Sequence, residues 1–299
     1  MIASKIRKVL VKAFLKPIWR IFVQPFVSQT VGTKVLYWII MGRPLNLVQP
    51  EDINEKIQWL KLNWKHPLLS QCADKYGVRE YVSEKGCGDV LNDLYGVYDR
   101  VTDIPWDLLP EKFALKCTHG CGYNIICNDK AKLSRLFAMV RLEWWMRSSY
   151  GSRHAEYHYI SIKPRIICER YIETPEAILP NDYKIYCFHG RPHFVAVATD
   201  RGTSVKWHFL DMDWNRMNIA LPEHTQGNLP IKPVCWDHMS EVAVKLSQPF
   251  PFVRVDFYEE NGRTVFGEMT FTPGAGMLRG YYEEAGMKFL GELLQLPQD

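Results

Sequence analysis

Phe252-Val-Arg-Val-Asp-Phe-Tyr258, Glu259-Glu-Asn-Gly-Arg263 and Thr264-Val-Phe-Gly-Glu-Met-Thr-Phe-Thr-Pro-Gly-Ala-Gly-Met277 follow one another near the C-terminal end of the chain. Two apolar runs flank a polar segment centred on Asn261-Gly262. Asn-Gly supplies the positive φ values of a type I′ turn, so the stretch predicts a β-hairpin. Side chains alternate faces along a strand. Arg254 and Asp256 therefore share one face, as do Glu268 and Thr270 on the return strand. If the two faces coincide, one surface carries an arginine, two carboxylates and a hydroxyl. Hard oxygen ligands at that spacing suit Mg²⁺, which binds through one or two carboxylates and completes its shell with phosphate oxygens. A solvated surface hairpin is the plain alternative. Pro273-Gly274-Ala275-Gly276 is expected to end the strand and open a flexible loop.

The chain has 299 residues, 47% hydrophobic and 23% charged, which describes a globular protein able to bury a sizeable core. The net charge of +4 is unevenly placed. Lys5, Arg7, Lys8, Lys12, Lys16, Arg20, Lys34 and Arg43 lie in the first fifty residues, which hold no acid. The remainder carries 29 basic and 33 acidic residues. A basic head on a mildly acidic body points to an anionic membrane surface as the head's partner, with no nucleic-acid partner for the body. Residues 1–42 mix Ile, Val, Leu, Phe and Trp with these charges. Arg20, Gln24 and Pro25 interrupt any span of about 20 apolar residues. An amphipathic helix on the inner leaflet is the expectation, and a helix docked on the protein's own body is the alternative. No clean apolar core is followed by a small-residue cleavage site, so no secretory signal is expected. The eight cysteines form no Cys-x₂-Cys pair. Buried free thiols in a reducing cytosol are expected rather than zinc.

Ile53, Ile57 and Leu60 keep helical spacing. A second helix is predicted from about Pro67, with Lys75 and Arg79 four residues apart on one face. Phe113 to Ile126 reads as strand, Gly-rich loop and strand, with Lys116 ending the first strand and His119, Gly120 and Gly122 in the loop. Such a lysine can reach a phosphate, and glycines let backbone N–H groups approach an anion. No Gly-Lys-Ser/Thr is present, so this is not a Walker A loop. Asp129–Tyr150 reads as a helix. Strands follow at Arg165–Ile172, Asp182–Phe188 and His193–Thr199. A last helix, Asp237–Gln248, leads back to the hairpin.

Together these segments resemble the ATP-grasp superfamily, and more closely its TupA-like members, named for teichuronopeptide synthesis. The matching features are Asn54-Glu-Lys-Ile-Gln-Trp-Leu-Lys, Asp74-Lys-Tyr-x-Val-Arg, Leu115-Lys-Cys-x-His-Gly, Glu169-Arg-Tyr-Ile, Asp182-Tyr-Lys-x-Tyr-Cys-Phe-x-Gly, Asp200-Arg, Arg254-Val-Asp-Phe-Tyr and Gly267-Glu-x-Thr-Phe-x-Pro-Gly. They span about residues 45–290. The resemblance implies an α+β ATP-grasp fold, with nucleotide held between two lobes of mainly antiparallel sheet. The implied divisions are a basic head (1–43), an N-terminal helical or substrate region (44–110), a first lobe with the Gly-rich loop (111–175) and a second lobe with the metal hairpin (176–299).

It also implies roles. Arg79 and Lys116 contact ATP phosphates, and His119, Gly120 and Gly122 belong to the loop over them. Glu169, Arg170, Tyr171 and Ile172 form the hinge against adenine, and Asp182 holds the ribose. Asp256 and Glu268 carry Mg²⁺, with Thr270 standing where an Asn is usual. Arg254 steadies the transferred phosphoryl group, with Lys184 and Arg201 nearby. The implied chemistry joins a carboxylate to an amine through an acylphosphate. The acceptor is a uronic-acid-type sugar of a surface polysaccharide, and the enzyme sits at the cytoplasmic face of the plasma membrane. The alternatives are a glycosyltransferase-like protein using Asp211-Met-Asp213, a sugar kinase on the same fold, or a nucleotide-binding scaffold without turnover.

Overall fold

The computed structural model describes residues 18, 19, 23, 26–174, 179–224 and 228–297. In chain order the helices are α1 (Gln29–Met41), α2 (Ile53–Asn63), α3 (Leu68–Ala73), α4 (Gly77–Glu84), α5 (Arg135–Met146), α6 (Tyr150–His154), α7 (Trp236–Ser247) and α8 (Glu284–Leu293). The strands are β1 (Leu94–Tyr98), β2 (Phe113–Cys117), β3 (Asn124–Cys127), β4 (Ile166–Arg170), β5 (Asp182–Phe188), β6 (Arg191–Thr199), β7 (Lys206–Asp211), β8 (Phe252–Glu260) and β9 (Arg263–Thr270). They make two antiparallel sheets, β1-β4-β2-β3 and β7-β6-β5-β8-β9.

Alternation along β8 decides which face of the larger sheet does what. Val253, Val255 and Phe257 point into a core with Met239, Val242 and Leu246 of α7. Burying each such side chain contributes about 1.5–3 kcal/mol. Their neighbours Arg254 and Asp256 are thereby turned to the opposite face, which also carries Phe252 and Tyr186 and is partly covered by α2 and α8. The smaller sheet packs Phe113, Leu115, Ile166 and Cys168 against Ala138, Leu142 and Trp145 of α5.

Within the region 44–110, α2 packs with α8 and the 273–276 turn, while β1 pairs with β4. β1 was missed because Gly96 and its half-exposed neighbours leave no clear period-2 pattern. The Pro273–Gly276 segment is a tight, largely buried turn rather than a flexible loop. Gln58 Nε2 donates to the Ala275 and Gly276 carbonyls at 2.9 and 2.7 Å, and Leu278 N donates to Asn54 Oδ1 at 2.7 Å.

Within the basic head, residues 1–17 lie outside the described residues. Its last stretch is α1, capped by the Ser28 hydroxyl at one end and Gly42, at φ 77°, at the other. α1 buries Leu36, Tyr37 and Met41 against Ala155, Ala275 and Met277. Thr33 and Tyr157 hydroxyls meet at 3.1 Å, and Arg279 donates to the Ile40 carbonyl. For residues 29–41, therefore, docking on the body replaces the expected membrane-lying helix. Among the described residues no helix is long and apolar enough to cross a membrane.

Candidate active site

The hairpin forms as expected, with Asn261 at φ 52° and Gly262 at φ 77°. Register places Asp256 opposite Glu268 and Arg254 opposite Thr270, so the four side chains share one surface. Gly267 is the extra residue of a bulge between the Asp256–Glu268 and Phe257–Phe266 pairs. A Cβ there would lie 3.0 Å from the Asp256 carbonyl oxygen, so glycine lets the strands stay close beside the carboxylates. β5 adds Lys184 opposite Asp256. Arg254 Nε donates to Asp256 Oδ1 at 2.6 Å, and Lys184 Nζ donates to Asp256 Oδ2 and Asp182 Oδ2, both at 2.7 Å. Thr270 Oγ1 accepts from Arg254 and donates to Glu268, each at 3.1 Å.

Burial and neighbouring cations act against each other on both carboxylates of this face. Burial alone would lift the Glu268 carboxyl, but Lys75, Arg254 and Lys184 together hold it down at about 2. Burial lifts Asp256 too, opposed by the Arg254 and Lys184 cations it accepts from. For Lys184 burial favours the neutral amine, and Asp182 and Asp256 reverse that, so it stays an ammonium.

The first lobe faces this surface with cations. Lys116, on β2, donates to Glu169 Oε2 of β4 at 2.6 Å, and Arg79 of α4 reaches Glu169 Oε1 at 3.4 Å. Burial pulls the Lys116 ammonium down and Glu169 more than offsets it. Glu169 is thus the counter-ion of both expected phosphate contacts. The sequence places Lys75 on one helix face with Arg79. It sits instead in the break between α3 and α4, donates to the Gly120 carbonyl at 2.7 Å and approaches Glu268 at 3.6 Å. It ties the Gly-rich loop to the β8–β9 hairpin. Gly122 has φ 74° with open space around it. His119 is buried, its Nε2 lies 3.0 Å from the Trp145 carbonyl, and its ring meets Tyr123 edge-on. It is an interior residue under the loop. The space enclosed by Lys75, Arg79, Lys116, Glu169 and Gly267 is only about 10 Å³.

At the end of β4, the Arg170 side chain is held in ion pairs. It forks onto Glu260 at 2.8 and 2.5 Å and reaches Asp93 at 3.0 Å. Glu260 also accepts the Glu173 backbone N–H at 2.8 Å, which fixes the chain leaving the first lobe onto the second. Tyr171 and Ile172 follow, half-buried. Asp182 is buried between Lys184 and Arg201, the latter at 3.6 Å. Arg201 also donates to the Pro180 carbonyl and lies over the Tyr258 ring. Burial and the nearby Asp182 push the Tyr258 phenol up to about 12. Asp211 of the Asp-x-Asp pair accepts backbone N–H groups of Asp213 and Asn215 and forms a turn, which accounts for that motif without a metal. Seven of the eight cysteines are buried and all are free thiols.

A family model described as TupA-like ATPgrasp matches residues 55–295. The chain belongs to the TupA-like ATP-grasp family. Its two lobes of helix and antiparallel sheet are the α+β halves of the ATP-grasp fold. Similar solved structures include D-alanine–D-alanine ligase from Bacillus anthracis complexed with ATP (14% identity, 68% of this chain, 57% of that chain, TM-score 0.42). The L-amino acid ligase from Bacillus licheniformis aligns at 13% identity over 85% of this chain and 57% of its own, with TM-score 0.47. The ATP-grasp ligase PsnB complexed with minimal precursor, Mg and ADP aligns at 10% identity over 73% of this chain and 57% of its own, with TM-score 0.37. The TupA-like chain thus spans a little over half the length of these enzymes. No curated protein matches it.

The donor chemistry on β8 and β9 fits magnesium. Two facing carboxylates and a hydroxyl offer hard oxygens, with Glu268 held ionised. Among the described residues no three His, Cys, Asp or Glu side chains cluster, so the remaining ligands would be phosphate oxygens and water, as Mg²⁺ prefers.

Proposed function

We propose that this TupA-like protein is an ATP-dependent carboxylate–amine ligase that builds an amide on a uronic-acid-type sugar during surface polysaccharide synthesis. The observation that carries the reading is the convergence of Lys116, Arg79 and Lys75 from one side on the Arg254, Lys184, Asp256 and Glu268 face from the other. Cations from two lobes meeting a pair of carboxylates suit a magnesium-bound triphosphate. Because Lys116 is bonded to Glu169 at 2.6 Å, it must exchange Glu169 for phosphate when ATP enters.

The acceptor carboxylate attacks the γ-phosphorus and ADP leaves. The amine then attacks the acylphosphate carbonyl carbon, phosphate leaves, and the amine loses a proton. Asp256 and Glu268, with Thr270, would hold Mg²⁺, which neutralises phosphate oxygens when bound. Arg254 and Lys184 stabilise the charge that develops on the transferred group, and Lys116 and Arg79 align the phosphates, so the protein's part is positioning and electrostatics. Asp182 and the Glu169–Ile172 segment serve the ribose and adenine. The acceptor enters through a cavity of about 490 Å³ lined by Trp64, Lys65, His66, Phe252, Phe271 and Thr272, just past the ends of β8 and β9. Aromatic faces with a lysine suit a carboxylate-bearing ring.

The basic head, through residues 1–28, would hold the enzyme at the inner face of the plasma membrane, where lipid-linked sugars are made. Product analysis tests the reading: ATP converted to ADP with a new amide supports the ligase. A phosphorylated sugar supports a kinase, and UDP release from a nucleotide sugar supports a glycosyltransferase.

A further inference from the structure

α5 is apolar on two sides, and among the described residues only one of them is covered. Ala138, Leu142 and Trp145 face the smaller sheet. On the outward side Leu136, Phe137, Val140 and Trp144 stand 74%, 62%, 59% and 63% exposed. Positions 136, 140 and 144 are four apart, and 137 and 140 three apart, so the four side chains form one continuous stripe. Single exposed apolar residues are ordinary, but four large ones on three turns of helix mark an interaction surface. Leu108, 85% exposed, belongs to the same surface, because Lys130 and Arg135 reach back to its neighbour Asp107.

The surroundings of the stripe are basic. Arg135 lies over the Trp106 ring, and Arg141 lies over Phe137 at 5.6 Å and Trp145 at 4.7 Å. From residue 129 to 147 the chain holds Lys130, Lys132, Arg135, Arg141 and Arg147 against only Asp129 and Glu143. Glu143 pairs with Arg147, Asp129 with Lys132 and Asp107 with Arg135, which leaves the patch net positive through Lys130 and Arg141. An exposed Trp, Phe and Leu stripe edged by Lys and Arg is the arrangement that lies in the headgroup region of an anionic bilayer, with long side chains reaching outward to phosphates.

We propose that the outer face of α5, with Leu108, docks on anionic phospholipid. The surface is separate from the cleft, so it stands whether or not the ligase reading does. It gives the first lobe its own membrane contact.

The test uses the full chain with phosphatidylserine-containing vesicles and, as a control, pure phosphatidylcholine. Cosedimentation is read for the wild type, for Leu136→Gln/Val140→Gln/Trp144→Gln and for Arg135→Gln/Arg141→Gln. All these positions are exposed or surface-edge, and a thermal melt confirms the fold. Binding falls roughly fivefold for each arginine removed and further for the apolar triple variant. Hydrogen exchange separates this face from the head: peptides covering Arg135–Met146 become protected on phosphatidylserine vesicles in the wild type. Unchanged α5 exchange on vesicles that bind the protein overturns the proposal. So does sedimentation showing a wild-type dimer, abolished in the triple variant, with no vesicle binding, since the stripe is then a self-association surface.

Discussion

Lys116→Met removes the ammonium that the site sets aside for phosphate and keeps most of the side-chain volume. In the free protein that ammonium is buried and bonded to Glu169 at 2.6 Å. Its loss leaves Glu169 with Arg79 alone, at 3.4 Å. Breaking a buried pair outright costs about 3–5 kcal/mol, and the surviving arginine reduces that, so a stability loss of roughly 1–3 kcal/mol is expected. The effect on binding is separate. A charge-assisted contact to phosphate contributes about 1.5–3 kcal/mol. Because Lys116 must leave Glu169 to make it, the lower half of that range applies, a weakening of roughly 10- to 40-fold. Calorimetry with Mg·ADP and with a non-hydrolysable ATP analogue measures it. The analogue and ADP should lose similar factors if Lys116 touches the phosphates nearer the ribose, and the analogue should lose more if it touches the γ-phosphate. Unchanged affinity for both in a folded variant removes Lys116 from the nucleotide site and leaves it a structural partner of Glu169.

Glu268→Gln should leave a folded protein with turnover lowered by two or more orders of magnitude, as preorganised charge at a phosphoryl-transfer site typically requires; a variant with wild-type ADP release would remove Glu268 from the metal site. The same variant tests pH dependence. The folded Glu268 carboxyl lies at about 2 against an ordinary 4.5, so its stabilisation is present above 4.5 and is lost as pH falls through 2. Denaturant melts of Glu268→Gln should therefore show a shallower loss of stability across that window than the wild type. Thr270→Asn should remain active, because an amide can still accept from Arg254 and donate to Glu268; an inactive, folded variant would show that the hydroxyl itself is needed. Gly276→Ala should destabilise by roughly 1–3 kcal/mol, since φ is 68° and a Cβ would lie 2.5 Å from Gln58 Nε2, as read by a chemical melt. A chain beginning at Ser28 keeps α1 and its cap, so it should fold, bind nucleotide and lose part of its sedimentation with anionic vesicles; full retention would remove residues 1–27 from membrane binding.

The hairpin and its face were legible because Asn261-Gly262 fixes the turn and period-2 alternation fixes the face, and both are local signals. Lys116, Asp182, Lys184 and Arg254 follow from motifs in order. What stayed hidden were relations between distant segments. Nothing near Glu169 in the chain says that Arg79 and Lys116 will close on it, or that Arg170 will fork onto Glu260, ninety residues away. Lys75 was read as a helix-face residue because the period continues across Asp74–Tyr76, where the chain in fact breaks between two short helices. His119 sits in a Gly-rich motif, and only the packing of Tyr123 and Trp145 shows that its ring turns inward. The 29–41 segment has a basic, apolar composition that fits a membrane as well as a protein surface, and the choice is made by Ala155, Ala275 and Met277.

The ligase claim is met most directly by isotope transfer. The acceptor fraction from cells lacking the protein, with ¹⁸O in its carboxylates, is incubated with the full-length enzyme, Mg·ATP and a mixture of amino acids, and the products are read by mass spectrometry. An acylphosphate route predicts ADP, inorganic phosphate carrying one ¹⁸O, and an acceptor heavier by an amide-linked amino acid. ADP formed with unlabelled phosphate, or with a phosphorylated acceptor and no amide, would contradict it.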